Sequence, residues 1–316
     1  MKVLFHTNTL NYRGTTVALT DYAKYNETIL GNESIICYNA GIGYERDMGS
    51  EPDVVAALKK QFAVYEYNNT GLEHIIDQTQ ADFAYFIRAG MTEPVPSNVR
   101  TGVHAVFQFN QPHGDRYAYI SQWLSETMSS GTIPYVPHIV QLPEPNQFRR
   151  DFGISDEQII VGRLGGYYSL DIPWVKQVII EIVESNPRFV FVFPGTEQFY
   201  NHANIVHFPE IHDLQQKSNY INMCDFMIHG RHRGESFGLS IAEFLFFKRP
   251  VLAFNGGIDQ NHIEMLKSIG GLYSDAVELK NIIMDFDPYK YNFSSYDSQL
   301  YSPTTVMTKF QEIFLS

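Results

Sequence analysis

Gln158-Ile159-Ile160-Val161-Gly162-Arg163 leads into Pro173-Trp174-Val175-Lys176-Gln177-Val178-Ile179-Ile180-Glu181-Ile182-Val183-Glu184, and then into Arg188-Phe189-Val190-Phe191-Val192-Phe193. The first and third runs are short, almost continuously apolar and rich in β-branched or aromatic residues. That is the pattern of strands buried on both faces. The middle run places Val175, Val178, Ile179, Ile182 and Val183 on one stripe at helical spacing. A buried strand, an amphipathic helix and a second buried strand form a βαβ unit, and such units build parallel sheets. Pro194-Gly195 stops the third run.

The alternation continues in both directions. Toward the C-terminus, Asp225 to His229 reads as a strand, Leu239 to Phe247 as a helix and Pro250 to Phe254 as a strand. Toward the N-terminus, Val3-Leu4-Phe5 reads as a strand. A helix follows from about Thr15 to Leu30, closed by Gly31. Strands are expected at Ser34–Tyr38, Ala63–Tyr67, Asp82–Ile87 and Gly102–Phe107, a helix from Tyr117 to Met128, and a short strand at Tyr135-Val136. Pro134, Pro137, Pro143 and Pro145 mark a linker near mid-chain. The expected fold class is α/β, with two Rossmann-like doubly wound domains facing a central cleft. The expected domains are 1–145 and 146–290, with a helical tail at 291–316 that has the option of packing back on the first domain. Ligands of open α/β sheets sit beyond the carboxyl ends of the strands, so residues just after strands are the candidates.

The 316 residues carry 23 basic and 35 acidic side chains, a formal net charge of −12. Such a balance disfavours broad contact with nucleic acid or anionic membrane, although a local basic site can still hold a phosphate. Hydrophobic residues at 44% and charged residues at 18% mark a globular chain and exclude a disordered one. The two cysteines, Cys37 and Cys224, have no ligand-like spacing, so neither a zinc site nor a disulfide framework is indicated. Met1 to Gly14 has too short an apolar run for a signal peptide, and no stretch is long enough to span a bilayer. These features predict a soluble, cytoplasmic protein.

The segment with the most chemistry is Gly234-Glu235-Ser236-Phe237-Gly238-Leu239-Ser240-Ile241-Ala242-Glu243. It follows a strand and opens a helix. Ser236 to Leu239 would offer free amides at a helix N-terminus, where anions are favoured. Glu235 would lie at the site floor, and Glu243 one to two turns into the helix, where it could accept from a ribose diol. The plainer alternative makes Glu235 a complement to the helix dipole and Glu243 a solvated acid.

This segment resembles the E-x7-E signature of retaining GT-B glycosyltransferases, most like glycosyltransferase family four and its short versions in large DNA viruses and phages. Lys248-Arg249-Pro250-Val251-Leu252-Ala253 resembles the strand that follows the family's helix. Pro134-Tyr135-Val136-Pro137 through Phe148 resembles the interdomain connector, and Ser121 its strand-end serine. The resemblance covers nearly the whole chain. It implies that Glu235 contacts the hydroxyls of a donor sugar and Glu243 the nucleotide ribose. Val161-Gly162-Arg163-Leu164-Gly165-Gly166 resembles the family's strand-end Gly-Arg, which implies that Arg163 pairs with a diphosphate. The family's lysine five residues later is Tyr168 here, and Arg231, Arg233 or Arg13 are the candidate substitutes. Asn11 to Thr16 resembles the family's Gly-Gly loop, with Gly14 at the second glycine and Arg13 at the first. His104 is similar to a strand-end histidine near the acceptor, although Ala105 replaces the aspartate that often follows. A core histidine is the competing reading for His104, and His113 competes for the acceptor-side role.

The resemblance therefore implies metal-independent transfer of a sugar from a nucleotide-sugar donor to a hydroxyl of a glycan, protein or small molecule, with retention. Glu235, His104 and Arg163 are the expected catalytic residues. Donor contacts are expected from Arg13, Gly14, Gly162, Arg163, Gly165, Tyr168, Glu235, Ser236, Phe237, Gly238, Leu239 and Glu243. No cofactor is expected, and the host cytoplasm is the expected location if the chain is viral. The alternatives are a nucleotide-sugar-binding protein with little transfer activity, or an epimerase of the same fold. Three weaker signals are set aside. Asp285-Phe286-Asp287 lies in the tail and not after a donor-domain strand. Gly41-Ile42-Gly43 lacks a third glycine, and His202, His207 and His212 share no helical face.

Overall fold

The apolar runs pair in parallel throughout both sheets of a computed structural model that describes residues 1–41, 49–149, 153–155 and 157–316. Ile42 and Gly43 of the short glycine motif lie outside the described residues. The chain divides into two units: Met1–Ile139 together with Gln299–Ser316, and Val140–Ser298.

The first unit contains β1 (Lys2–Thr7), α1 (Gly14–Thr28), β2 (Glu33–Asn39), α2 (Pro52–Lys59), β3 (Ala63–Tyr67), α3 (Leu72–Thr79), β4 (Phe83–Arg88), β5 (Arg100–Ala105), β6 (Arg116–Tyr119) and α4 (Gln122–Ser129). Its sheet runs β3-β2-β1-β4-β5-β6. Leu4 of β1 stands between Ile35 and Ala84 of its neighbours, and β4 is buried along its whole length. Tyr117 to Tyr119, predicted as helix, is the strand β6. Its register sets Tyr117 against Val103 and Tyr119 against Ala105, and this pairing overrides local helical spacing. The helix starts only after Ser121, whose side chain caps it by accepting from the Leu124 amide at 3.2 Å.

The second unit contains β7 (Ile159–Gly162), α5 (Pro173–Ser185), β8 (Phe189–Pro194), β9 (Ile205–Phe208), α6 (Leu214–Met223), β10 (Phe226–His229), β11 (Gly234–Glu235), α7 (Leu239–Phe246), β12 (Val251–Phe254), β13 (Asp259–Gln260), α8 (Asn261–Leu266), β14 (Leu272–Tyr273) and α9 (Ala276–Met284). Its main sheet runs β14-β12-β10-β7-β8-β9. Val175, Val178, Ile179, Ile182 and Val183 of α5 are all buried against Phe189, Phe191 and Phe193 of β8. Each fully buried Phe contributes ~1.5–3 kcal/mol relative to exposure.

Counted from the first strand of each unit, both sheets have the order 3-2-1-4-5-6, the doubly wound Rossmann arrangement. Each sheet therefore has one place where successive crossovers reverse direction. In the first unit it lies between β1 and β4, and in the second between β7 and β10.

The chain returns to the first unit through α10 (Pro303–Phe310) and a π-helical turn, Gln311–Leu315. The Phe310 ring stacks on Tyr22 at 5.3 Å between centroids, and Phe314 meets Tyr85 edge-on at 5.4 Å. The sequence reading put the division at 145/146 and the tail at 291; the units change at 139/140 and 298/299. The connector joins the second unit early because Val140 and Leu142 are buried and the amides of Asn146 and Gln147 donate to Asn219 Oδ1. The segment before α10 stays with that unit through Asn292, whose amide donates to the Ile269 carbonyl. Among the described residues, no helix is long and apolar enough to cross a membrane.

Candidate active site

The β7–β10 switch point collects most of the residues that the sequence reading singled out. At the end of β7, a Cβ on Gly162 would lie 2.4 Å from Cys224 Sγ and 2.9 Å from the Tyr220 hydroxyl, so only glycine fits there. That hydroxyl accepts from the Arg163 amide at 2.7 Å and donates to the Val192 carbonyl at 2.7 Å.

Arg163 itself corrects an expectation. Its residue is 2% exposed, and its guanidinium is turned onto its own loop. Nη1 donates to Thr196 Oγ1, and Nη2 donates to the Gly166 carbonyl at 2.8 Å and to Ser169 Oγ at 2.6 Å. Burial lowers its pKa to about 10, so it stays charged at neutral pH. In this structure Arg163 shapes the Gly165–Ser169 loop and does not present a fork to a diphosphate. The loop in turn holds up Tyr167 and Tyr168, 38% and 51% exposed, with rings edge-on at 4.8 Å and 86°.

Beyond β10 the chain turns sharply back. Gly234 has φ +77°, and a Cβ there would lie 2.0 Å from the Asp259 carbonyl, because β11 pairs with β13 at that residue. Glu235 is thereby delivered beside the end of β10. Its Oε1 accepts from His229 Nε2 at 2.9 Å and its Oε2 from Arg231 Nη1 at 3.0 Å. Burial pushes the carboxyl up, but the His229 bond and the Arg231 charge outweigh it and bring the pKa down to about 2. Glu235 is therefore ionised at every physiological pH. His229 Nδ1 is buried with no hydrogen-bond partner among the described residues. The Glu235 amide donates to His262 Nδ1 at 3.3 Å, and His262 Nε2 donates to the Phe254 carbonyl at 2.9 Å, which fixes the tautomer. Burial, with His229 nearby, holds His262 down to about 4, so it is neutral.

Ser236 is half-buried and Phe237 is buried, with its carbonyl accepting from Asn261 Nδ2 at 2.6 Å. Gly238, at φ +92°, opens α7 without a side-chain cap, and the first turn from Leu239 carries no acid. The leading amides of α7 are thus uncapped by side chains, as an anion site requires. Glu243 differs from expectation. It is buried, and its Oε1 accepts from Lys217 Nζ of α6 at 2.8 Å. It is neither a solvated acid nor an open acceptor pair, because a buried carboxylate needs a cation.

In the first unit His104 is a core residue, which corrects its catalytic and acceptor-side assignment. It is fully buried. Its Nε2 lies 3.1 Å from the Tyr119 carbonyl and 2.9 Å from the Val136 carbonyl, and so carries the hydrogen. Its Nδ1 then accepts from the Tyr85 hydroxyl at 2.6 Å. Burial lowers its pKa to about 4. His113 sits in a turn, with Nδ1 2.8 Å from the Gln111 carbonyl. Arg13 is exposed at the N-cap of α1, and a Cβ on Gly14 would meet nothing within 4 Å. Arg233 is bound to Asp259 at 2.6 Å, and Arg231 to Glu235 at 3.0 Å.

The sequence reading missed His229 and His262 as partners of Glu235. A histidine closing an apolar strand, six residues before the acid, was the available signal. Asp287 caps a short turn by accepting from the Tyr289 amide at 2.9 Å. Among the described residues no group of three His, Cys, Asp or Glu side chains has the arrangement of a metal site.

The sequence matches no family model and no curated protein. Solved structures do match its fold. A glycosyltransferase from Rickettsia africae ESF-5 aligns at 16% identity over 99% of this chain and 97% of its own, with a TM-score of 0.70. Anabaena Alr3699/HepE, solved with UDP and glucose, aligns at 16% identity over 100% of both chains, with a TM-score of 0.71. A putative UDP-N-acetylglucosamine 2-epimerase from Listeria monocytogenes aligns at 13% identity over 98% and 94%, with a TM-score of 0.62. With two six-stranded parallel units in the 3-2-1-4-5-6 order, the chain has the GT-B fold.

Proposed function

We propose that the protein is a retaining, metal-independent glycosyltransferase whose nucleotide-sugar donor binds at the β7–β10 switch point. The observation that carries this reading is the Glu235 carboxylate, fixed by His229 and Arg231 beside the uncapped N-terminus of α7. A sugar presents hydroxyl donors and a diphosphate presents negative charge. The site offers an ionised acceptor for the first, and Arg231 with helix amides for the second. The neighbours extend the argument, since HepE was solved with UDP and glucose.

In this mechanism Glu235 holds donor-sugar hydroxyls and orients the ring. Arg231 and the α7 amides draw the diphosphate and stabilise the charge that grows as the bond from the anomeric carbon to the phosphate oxygen breaks. The acceptor oxygen bonds to the same face of that carbon, and its proton passes to the departing phosphate oxygen. Configuration is retained, and no protein base is consumed. Tyr168 supplies an aromatic surface where the family has a lysine, so the positive charge at the diphosphate comes from Arg231.

The test is nucleotide release from a panel of UDP-, GDP- and ADP-sugars with sugar acceptors, followed by NMR of the product's anomeric proton. Release with a retained anomer is expected. Binding without release from any donor would leave a nucleotide-sugar-binding protein instead. The Listeria neighbour favours one further reading, epimerisation of the donor sugar. It predicts an isomerised nucleotide sugar without any acceptor, which analysis of the same reaction would detect.

A further inference from the structure

The first unit has a switch point of its own, between β1 and β4, and none of the side chains at its carboxyl edge belongs to the site above. His6 lies one residue before the end of β1, Tyr67 ends β3 and Arg88 ends β4. His6 is fully buried, with Nε2 2.9 Å from the Tyr67 hydroxyl and Nδ1 without a partner. Arg88 is 7% exposed, and its guanidinium carbon stands 4.5 Å from the centre of the Phe86 ring. The same ring lies 4.9 Å from that of His6.

The guanidinium is only partly used. Nη1 donates to the Pro94 carbonyl at 3.1 Å, while Nε is buried without a hydrogen-bond partner among the described residues. Its ion-pair partner among the described residues is the Glu93 carboxylate, 3.6 Å from Nε. A charge-assisted bond closes to ~2.7–2.9 Å, so the pair attracts without locking. Leaving a cation buried with so loose a counter-charge is costly, and such a group is relieved by any oxyanion that matches its fork. Glu93, with its side chain 31% exposed, has water to move into. Phe86 keeps the guanidinium from turning away.

We propose that Arg88 is the seat for an anionic group on the acceptor, a sugar bearing a carboxylate or a phosphate, with Glu93 holding the place until that sugar arrives. The word acceptor rests on the transferase reading, but the anion seat does not, because binding is measurable without transfer. The seat lies at the switch point, where doubly wound units take their ligands. It separates acceptors by charge. A neutral sugar leaves the Arg88–Glu93 pair in place, and an acidic one exchanges with Glu93 and gains both fork bonds.

Isothermal titration of the full chain with glucose, glucuronate and glucose 6-phosphate tests this. Glucuronate or the phosphate should bind roughly tenfold more tightly than glucose, and Arg88→Gln should abolish that preference. The relative affinity of the two anions identifies which oxyanion is native. Glu93→Gln should tighten anion binding about threefold by removing the competing carboxylate. Equal affinity for glucose and both anions would overturn the seat, and so would an unchanged preference in a folded Arg88→Gln. If that variant does not fold, weaker or unchanged binding in Glu93→Gln overturns it alone. A loss in Glu235→Gln that equals the loss in Arg88→Gln would move the anion to the second unit and also overturn it. Failure of every nucleotide sugar to release its nucleotide would count against the transferase reading while these titrations stood.

Discussion

The two switch points of the molecule share a topology and differ in how their charges are held. Between β7 and β10 Arg163 is turned onto its own loop and the acid Glu235 has a short bond from a donor to each of its oxygens. Between β1 and β4 the charged group is a base, Arg88, whose ion-pair partner Glu93 stands 3.6 Å away. A fully bonded carboxylate is a fixed instrument. It stays ionised, keeps its orientation, and presents the same geometry to every ligand. A cation with a loose counter-ion is exchangeable, and its occupant depends on what the ligand carries. The difference suits the transfer proposed above, in which one donor is held in a reactive pose and acceptors are selected.

The largest expected effect breaks the comparison on its fixed side. Glu235→Gln keeps shape but removes the charge that orients His229 and Arg231. Turnover of the donor should fall roughly 100-fold or more, read as nucleotide release, in a variant that still folds but melts at a lower temperature, because the lost charge also stabilises the turn. Wild-type turnover in a folded Glu235→Gln would remove Glu235 from the chemistry.

The next effect belongs to the first unit alone. His104→Leu should leave the Tyr85 hydroxyl and the Val136 carbonyl without their partner in the core, while the Tyr119 carbonyl keeps the Val136 amide, at a cost of about 3 kcal/mol by urea unfolding. If the loss were in activity with stability intact, the core assignment of His104 would be wrong.

Legibility in the sequence follows the same divide. The acid site was readable because its parts are nearly contiguous: Glu235, the turn and the α7 start all lie within ten residues. Their chemistry is printed in order along the chain. The anion seat was not readable, because His6, Tyr67, Arg88 and Glu93 come from separate strands and a loop and meet only through the sheet register. The strands themselves were legible wherever both faces are buried, as in β4 and β8. β6 was misread because Tyr117 and Tyr119 carry no period distinct from the helix that follows. The partners of Arg163 and Glu243 were not readable for another reason. A motif names a residue type and a place, but the direction of a long side chain depends on partners such as Thr196, Ser169 and Lys217, which are distant in sequence.

A milder perturbation compares the units by acid. Burial lowers the pKa of His6 to about 3, of His104 to about 4 and of His138 to about 3 in the first unit, and of His262 to about 4 in the second. A group depressed in the folded state binds its proton only on unfolding. Its stabilising contribution is full above the unfolded value near 6.5 and fades as pH falls toward 3–4. Each such histidine removes ~1.4 kcal/mol per pH unit in that window. Glu235 loses its own contribution only lower, between its ordinary value of 4.5 and about 2. Hydrogen exchange at pH 5 should therefore show the amides of β1 and β5, beside the His6, His104 and His138 cluster, losing more protection than those of the Glu235 turn, beside His262. The reverse order would mean that the histidine cluster is not neutral in the fold.

The smallest effect sharpens the fixed side. By the family resemblance Tyr168 stands at the place of a diphosphate-binding lysine, and its ring is half exposed on a loop that Arg163 anchors. If Arg231 supplies that charge, Tyr168 contributes only stacking area, and Tyr168→Ala should raise the donor KM about threefold with kcat unchanged. Tyr168→Lys should then add little, because the charge is already in place. A large gain in kcat from Tyr168→Lys would show that the site lacks a cation in the transition state, and Arg231 would have to give up its role at the diphosphate.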